Sequence, residues 1–262
     1  MAKPKSEYSI QTVSNALRML EAFYQEDELG VSELSRRLSL HKNNVFRLLA
    51  TLEQRGYIEQ SPENERYRLG TRCLELGQAF SRRHTLLRRA RPILEELVRK
   101  VGETAHIAVI RDFEVVHLDG VLADQMVLTT LRVGHRLPVH CTALGKVLVG
   151  CSDAATQESF GRSVVAEEGL ASRTESTIAD PQKLFDELRT VSAQGFALDL
   201  EECEPGMRCV AAPVRDCTGS VIAAISISGP GFRLAEESLH GDIGRRVVAC
   251  ADQLSQELGH GL

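Results

Sequence analysis

The apolar residues between Ile10 and Leu69 change their period, and that change limits the folds open to this chain. Ile10, Val13, Leu17, Leu20 and Phe23 recur at spacings of three and four, which is one face of a helix. Val31, Leu34 and Leu38 repeat the signal over a shorter stretch, with Ser32 as a candidate N-cap. Ser39-Leu40-His41 interrupts it, and Val45, Leu48, Leu49 and Leu52 resume it as far as Gly56, a residue type that ends helices. Tyr57-Ile58-Glu59 and Arg66-Tyr67-Arg68-Leu69 then alternate on either side of the turn-rich Ser61-Pro62-Glu63-Asn64-Glu65, the pattern of a β-hairpin. Three short helices followed by a two-stranded wing predict a winged helix-turn-helix.

Such a unit works by laying the second helix of the pair into the major groove while the first crosses the DNA backbone. The recognition helix predicted here is His41 to Arg55. Its apolar residues face inward, which leaves Lys42, Asn43, Asn44 and Arg47 for base edges. Asn pairs bidentately with adenine, and Arg or Lys with guanine. Arg36, Arg37, Arg66 and Arg68 are the expected phosphate contacts, which add salt-sensitive affinity without reading sequence. Charge supports this assignment because it is unevenly shared. Through Pro92 there are 16 Lys and Arg against 11 Asp and Glu, a net +5, whereas the remainder carries −10 of the overall −5. A basic first third on an acidic remainder suits an anionic partner for one domain only.

At 262 residues, and roughly 150 per domain, the chain is long enough for about two domains. Past Gly70, the residues Cys73, Leu74, Leu76 and Phe80 predict a connecting helix running into the basic stretch Arg82 to Arg91. Pro92 is expected near the first turn of another helix, Ile93 to Val101. Strands are predicted over Ala105 to Arg111, Glu114 to Val121, Val127 to Val133, Phe196 to Leu200, Cys209 to Arg215 and Val221 to Ile227. Helices are predicted over Thr142 to Cys151, Asp180 to Ala193 and Leu234 to Leu258. The expected organisation is a winged helix-turn-helix over residues 9–71, a connecting helix over 72–87, and an α+β domain over 88–260 with a mostly antiparallel sheet.

Several stretches, taken in order, resemble the IclR-type transcriptional regulators over nearly the whole chain, from Gln11 to about Leu258. They are Val13-Ser14-Asn15-Ala16-Leu17-Arg18, then Val45-Phe46-Arg47-Leu48-Leu49-Ala50-Thr51-Leu52 with Gly56, and Tyr67-Arg68-Leu69-Gly70. In the second half come Gly134 with Pro138, His140 and Thr142-Ala143-Leu144-Gly145-Lys146. Last are Gly195-Phe196-Ala197-Leu198-Asp199 with Glu201-Glu202, and Cys209-Val210-Ala211-Ala212-Pro213-Val214. Asn43-Asn44 departs from the family, which carries small hydroxyl residues there, and this bears on which operator is read.

The resemblance implies that the second domain is GAF-like and binds a small effector, often a carboxylic acid. It also implies that Ala143, Leu144, Asp199, Cys209, Ser226 and Ser228 line the effector site. Leu131 and Val133 are candidate apolar wall residues on a neighbouring strand. The local chemistry agrees, since the unpaired N–H groups and positive dipole end of the helix opening at Thr142 suit a carboxylate. Gly145 would let ligand or backbone approach closely. The implied partners are a double-stranded DNA operator, a small organic-acid effector and a second copy of the chain, as a homodimer or a dimer of dimers.

Two rival readings use the same residues. Cys209, His140 and Asp199 are the types of a nucleophile, base and orienter, and His140, Cys141, Asp199 and Cys209 are the types of a zinc-based sensor. Neither has a supporting spacing, so no catalytic residue, metal ligand or cofactor is assigned. The seven cysteines include no CxxC pair and are odd in number, so free thiols are expected. No apolar run reaches the roughly 18 residues of a membrane span, and Met1 to Tyr8 has no apolar segment behind Lys3 and Lys5. The expectation is a soluble, cytoplasmic protein with no membrane partner.

Overall fold

The structure is a computed structural model that describes residues 9–24, 26–125, 131–163 and 169–261. The chain divides into two compact units, Met1–Arg83 and His84–Leu262.

The first unit contains α1 (Gln11–Glu21), α2 (Val31–Leu38), α3 (Lys42–Gln54), β1 (Ile58–Gln60), β2 (Tyr67–Leu69) and α4 (Thr71–Arg83). Its core joins Met19, Phe23, Leu29, Leu34, Leu38, Val45, Leu48, Leu49, Ile58 and Tyr67. Leu29 holds the wing against the helices by exchanging two 2.9 Å backbone hydrogen bonds with Tyr67. The turn between α2 and α3 passes through Ser39 at φ 55°, and the Ser35 hydroxyl donates to the Leu40 carbonyl at 2.6 Å. Helix α2 is capped differently from the expectation at Ser32. The chain turns in at Gly30, whose N–H donates to the Glu33 carboxylate at 2.8 Å, and Ser32 lies inside the helix, exposed.

Helix α1 also departs from its sequence pattern. Met19, with the partly buried Ala16 and Leu20 and with Phe23 just past its end, forms its buried stripe, while Val13 and Leu17, and Ile10 just before it, are more than half exposed. The helix therefore has a second apolar face, and α4 likewise leaves Leu74, Leu76 and Phe80 exposed.

The second unit contains α5 (Thr85–Val101), β3 (Thr104–Arg111), β4 (Glu114–Val121), β5 (Arg136–Pro138), α6 (Ala143–Gly150), α7 (Ala154–Phe160), α8 (Pro181–Gln194), β6 (Ala197–Leu200), β7 (Met207–Arg215), β8 (Val221–Pro230), α9 (Glu236–His240) and α10 (Asp242–Glu257). The strands form one six-stranded sheet in the order β5-β4-β3-β8-β7-β6, with every neighbouring pair antiparallel. Alternation sorts each strand between two cores. Ala105, Ile107, Val210, Ala212, Ile225 and Ile227 pack with α5 and α10 on one face. Ala108, Ala197, Ala211 and Ala224 lie beneath α6 and α8 on the other.

Three expectations change here. Helix α5 starts at Thr85, so Pro92 is interior. The missing N–H costs about 3 kcal/mol in a helix interior, but Leu86, Leu87, Ala90, Ile93, Leu94, Leu97 and Val98 form one continuous buried face that a break would expose. The single closing helix is two, because the chain bends at Gly241 (φ −93°, ψ −115°), where a Cβ would lie 2.8 Å from the Glu237 carbonyl oxygen. The strand expected at Val127 to Val133 falls largely outside the described residues. Its described end is not in a strand, and β5 pairs with β4 instead. No helix among the described residues is long and apolar enough to cross a membrane.

Candidate functional site

Each unit presents one candidate site. In the first, α3 buries Val45, Leu48 and Leu49, which turns Lys42, Asn43, Asn44 and Arg47 to solvent. Their side chains, and that of the exposed Arg36, have no hydrogen-bond or ion-pair partner among the described residues. Asn44 and Arg47 share a groove with Thr12, Asn15, Leu48 and Thr51. Arg68 is exposed beside Glu59 at 3.5 Å, and Arg37 pairs with Glu26 on the surface.

Arg66, another expected phosphate contact, also makes contacts within the unit. Its guanidinium donates to the Glu33 carboxylate at 2.8 Å and to the Glu28 carbonyl at 2.9 Å, so it ties the wing to α2. The Gly30 N–H, followed by the Arg66 charge, holds the Glu33 carboxyl below the usual range.

The second site is a cavity in the sheet face that carries α6. It forms where the alanine stripe gives way to polar residues. Ala108 is followed on its face of β3 by His106, Ala224 on β8 by Ser226 and Ser228, Ala211 on β7 by Cys209, and Ala197 on β6 by Asp199. The register sets these groups side by side, with His106 opposite Ser226, Ser228 opposite Cys209, and Cys209 opposite Asp199. Ala143 and Leu144 close the cavity from the start of α6.

Thr142 caps that helix, its hydroxyl oxygen accepting the Gly145 N–H at 3.1 Å and donating to the Pro138 carbonyl at 2.8 Å. The Ala143 and Leu144 N–H groups, the first donors of the helix, have no acceptor among the described residues, and both residues line the cavity. Gly145 serves backbone rather than ligand: a Cβ there would lie 2.4 Å from the Val139 Cα and carbonyl oxygen.

Ala143, Leu144, Asp199, Cys209, Ser226 and Ser228 thus share one cavity. Leu131 is not among the lining residues. It is partly exposed, and its Cδ2 covers Gly120, where a Cβ would lie 2.7 Å away.

Asp199 is 3% exposed and accepts the Glu202 N–H at 2.8 Å and the Cys203 N–H at 3.4 Å. Burial raises its pKa to about 7; the Glu202 N–H lowers it in part, and the Glu202 charge raises it further.

Several lining residues had no part in the sequence reading: His106, His117, Arg132, Cys203 and Glu204. Arg132 pairs with Glu204 at 2.6 Å, and the rings of His106 and His117 meet edge to face at 5.3 Å. Alternation offered a signal, since His106 shares a strand face with Ala108. Lys146 was also missed as a side chain with work to do. It is 1% exposed on α6 and donates to Glu202 at 2.7 Å and Glu187 at 3.2 Å.

The rival chemistries do not assemble. His140 Nε2 lies 3.0 Å from the Ala171 carbonyl, away from the cavity lining. Burial, then the Asp199 charge, pushes the Cys209 thiol well up, so it keeps its proton and is a poor nucleophile. Cys141 is raised too, by its hydrogen bond with Cys203 and by burial. Among the described residues, no three His, Cys, Asp or Glu side chains are grouped to hold a metal.

Residues 12–62 match the model of the IclR helix-turn-helix domain, and residues 78–256 that of the bacterial transcriptional regulator IclR C-terminal domain. The HTH-type transcriptional regulator XynR of Escherichia coli K12 is 36% identical over 231 residues, covering 88% of this chain and 90% of that protein. KdgR of the same organism is 33% identical over 252 residues, covering 96% and 94%. Among solved structures, Thermotoga maritima IclR superposes with a TM-score of 0.74 at 26% identity, covering 96% of this chain and all of that one. An IclR homologue from Microbacterium hydrocarbonoxydans, complexed with 4-hydroxybenzoate, does so with a TM-score of 0.79 at 25% identity, covering 94% and 98%.

Proposed function

The chain belongs to the IclR family of DNA-binding transcriptional regulators, and from that premise we propose that it is a cytoplasmic regulator whose operator binding is set by a small organic acid held in the second unit. It is a regulator, not an enzyme. The observation that carries the effector reading is the polar end of the cavity, where the free Ala143 and Leu144 N–H groups stand with Asp199, Ser226 and Ser228. A helix N-terminus with unused donors attracts a carboxylate. The 4-hydroxybenzoate complex of the Microbacterium homologue supports the same ligand class, and the second unit is read as GAF-like.

In the first unit, Lys42, Asn43, Asn44 and Arg47 read bases, while Arg36, Arg37, Arg66 and Arg68 hold phosphates. One short helix reads too few base pairs for a genome, so two chains act together. The exposed Ile10 at the start of α1 and Val13 and Leu17 within it, with Leu74, Leu76 and Phe80 of α4, supply the apolar surface for a homodimer. A dimer of dimers would then form through the second units.

The test uses the full chain, an operator recovered by selection from random duplexes, and a panel of small carboxylic acids. An acid that shifts operator affinity should lose that effect in Asp199→Ala and Ser226→Ala, with the affinity of the unliganded protein unchanged. Effector titrations identical to wild type in both variants would remove the cavity from the account.

A further inference from the structure

The reading of DNA through α3 leaves the groove beside that helix without a role. Thr12 and Asn15 of α1 line it together with Asn44, Arg47, Leu48 and Thr51 of α3. Helix α1 stands outside the α2–α3 pair, so neither residue belongs to the two helices that the helix-turn-helix plan itself lays on DNA. Thr12, Asn15 and Met19 recur at spacings of three and four on one stripe of α1, and Met19 is fully buried. The stripe is thus apolar where it meets the core and polar where it flanks the residues assigned to base edges.

The chemistry of the lining selects the occupant. It contains the Arg47 guanidinium, the amides of Asn15 and Asn44 and the hydroxyls of Thr12 and Thr51, and no carboxylate. The Thr51 hydroxyl is spent on the Arg47 carbonyl at 2.8 Å. Gln11 Nε2 donates to Asn15 Oδ1 at 3.0 Å, so the acceptor end of Asn15 is occupied and its N–H donors are left. The Thr12 hydroxyl and the Asn15 amide nitrogen have no partner among the described residues. Free donors beside a cation, with no acid among them, fit an anion. Duplex geometry says which one. A helix with its side chains is about 10–12 Å across and the major groove about 12 Å wide, so α3 fills the groove and whatever flanks it meets the wall. That wall is the sugar–phosphate strand.

We propose that Thr12 and Asn15 hold a phosphate of the strand bordering the bases that Asn44 and Arg47 reach, so that α1 fixes the seating of α3 in the groove. The proposal rests on the reading of α3 as the recognition helix.

Fluorescence anisotropy with the full-length protein, the selected operator and random duplexes tests it. Asn15→Ala and Thr12→Val should each weaken binding to both kinds of duplex by about three- to tenfold, the net contribution of one hydrogen bond. Thr12→Ser, which keeps the hydroxyl, should bind as wild type. Single methylphosphonate linkages, each removing one phosphate charge, supply a readout that a packing role would not move. In each half-site, one linkage that weakens wild-type binding should lose most of its penalty in Asn15→Ala, while the penalties at other linkages persist. If Arg47→Ala weakens operator binding but no linkage couples to Asn15, or if both variants bind as wild type, the proposal falls and the reading of α3 stands. A loss confined to the operator, with a changed base preference on reselection, would make Asn15 a base reader and also overturn it. If the protein binds no duplex, both readings fall.

Discussion

The two units solve opposite problems with polar side chains. The first keeps its working groups in water: Lys42, Asn43, Asn44 and Arg47 stand on the outer face of a helix whose inner face alone holds the fold. The second buries them, with Asp199, His117, Ser226 and Lys146 each at 3% exposure or less. A surface reader can change its residues at little cost to folding. A buried sensor cannot, because each polar group there is also part of the packing.

The sharpest break of that contrast is a paired removal of cations. Lys146→Met strands the Glu202 carboxylate, whose side chain is 7% exposed, and should destabilise the second unit by about 3–5 kcal/mol in urea unfolding. Adding Glu202→Leu should recover most of the loss. Arg66→Met in the first unit breaks a pair whose partners are 39% and 37% exposed, and should cost no more than about 1 kcal/mol. Equal losses would mean that burial is not what separates the two regions.

A second test is pH. Asp199 has its folded pKa raised to about 7 from 3.8, so between those values the unfolded chain is ionised and the folded one is not; this erodes stability as pH rises. His117 is lowered to about 3 from 6.5, so the unfolded chain takes a proton that the folded one refuses; this erodes stability as pH falls. Between about pH 4 and 6.5 the two slopes oppose and largely cancel. Asp199→Asn should uncover the histidine slope, with stability falling by about 1.4 kcal/mol per unit of acidification. His117→Phe should uncover the opposite slope. A flat profile in both variants would contradict the burial of this pair.

The smallest stability effects belong to the first unit. Arg47→Ala should leave unfolding within about 0.5 kcal/mol of wild type but weaken operator binding by about 1–3 kcal/mol. Arg68→Ala should weaken all duplexes alike and reduce the salt slope by about 1. Equal losses on operator and random DNA for both substitutions would erase the division between reading and holding.

The same contrast explains what was legible. The helices of the first unit, its wing and the polar face of α3 follow from period alone, because there a residue's environment is decided by its neighbours in the chain. Alternation also placed Ser226 and Ser228 on one strand face. Lys146 was not legible: a lysine on a helix reads as solvent-facing, and the carboxylate that permits its burial lies on Glu202, far along the sequence and across the fold. The internal contacts of Arg66 were not legible either, since Glu33 and Glu28 reach it only once the wing folds back. Ile10, Val13 and Leu17 carried a true helical stripe, but period does not say whether a stripe is covered by its own chain or left for another.

The run of alanines beneath α6 has a consequence for how such sensors diversify. Ala108, Ala211 and Ala224 hold the helix close to the sheet, and so set the depth of the chamber beside it without lining it. Exchanging any of them for valine would lift α6 and enlarge the chamber, so new effectors can be admitted by methyl groups that no effector touches.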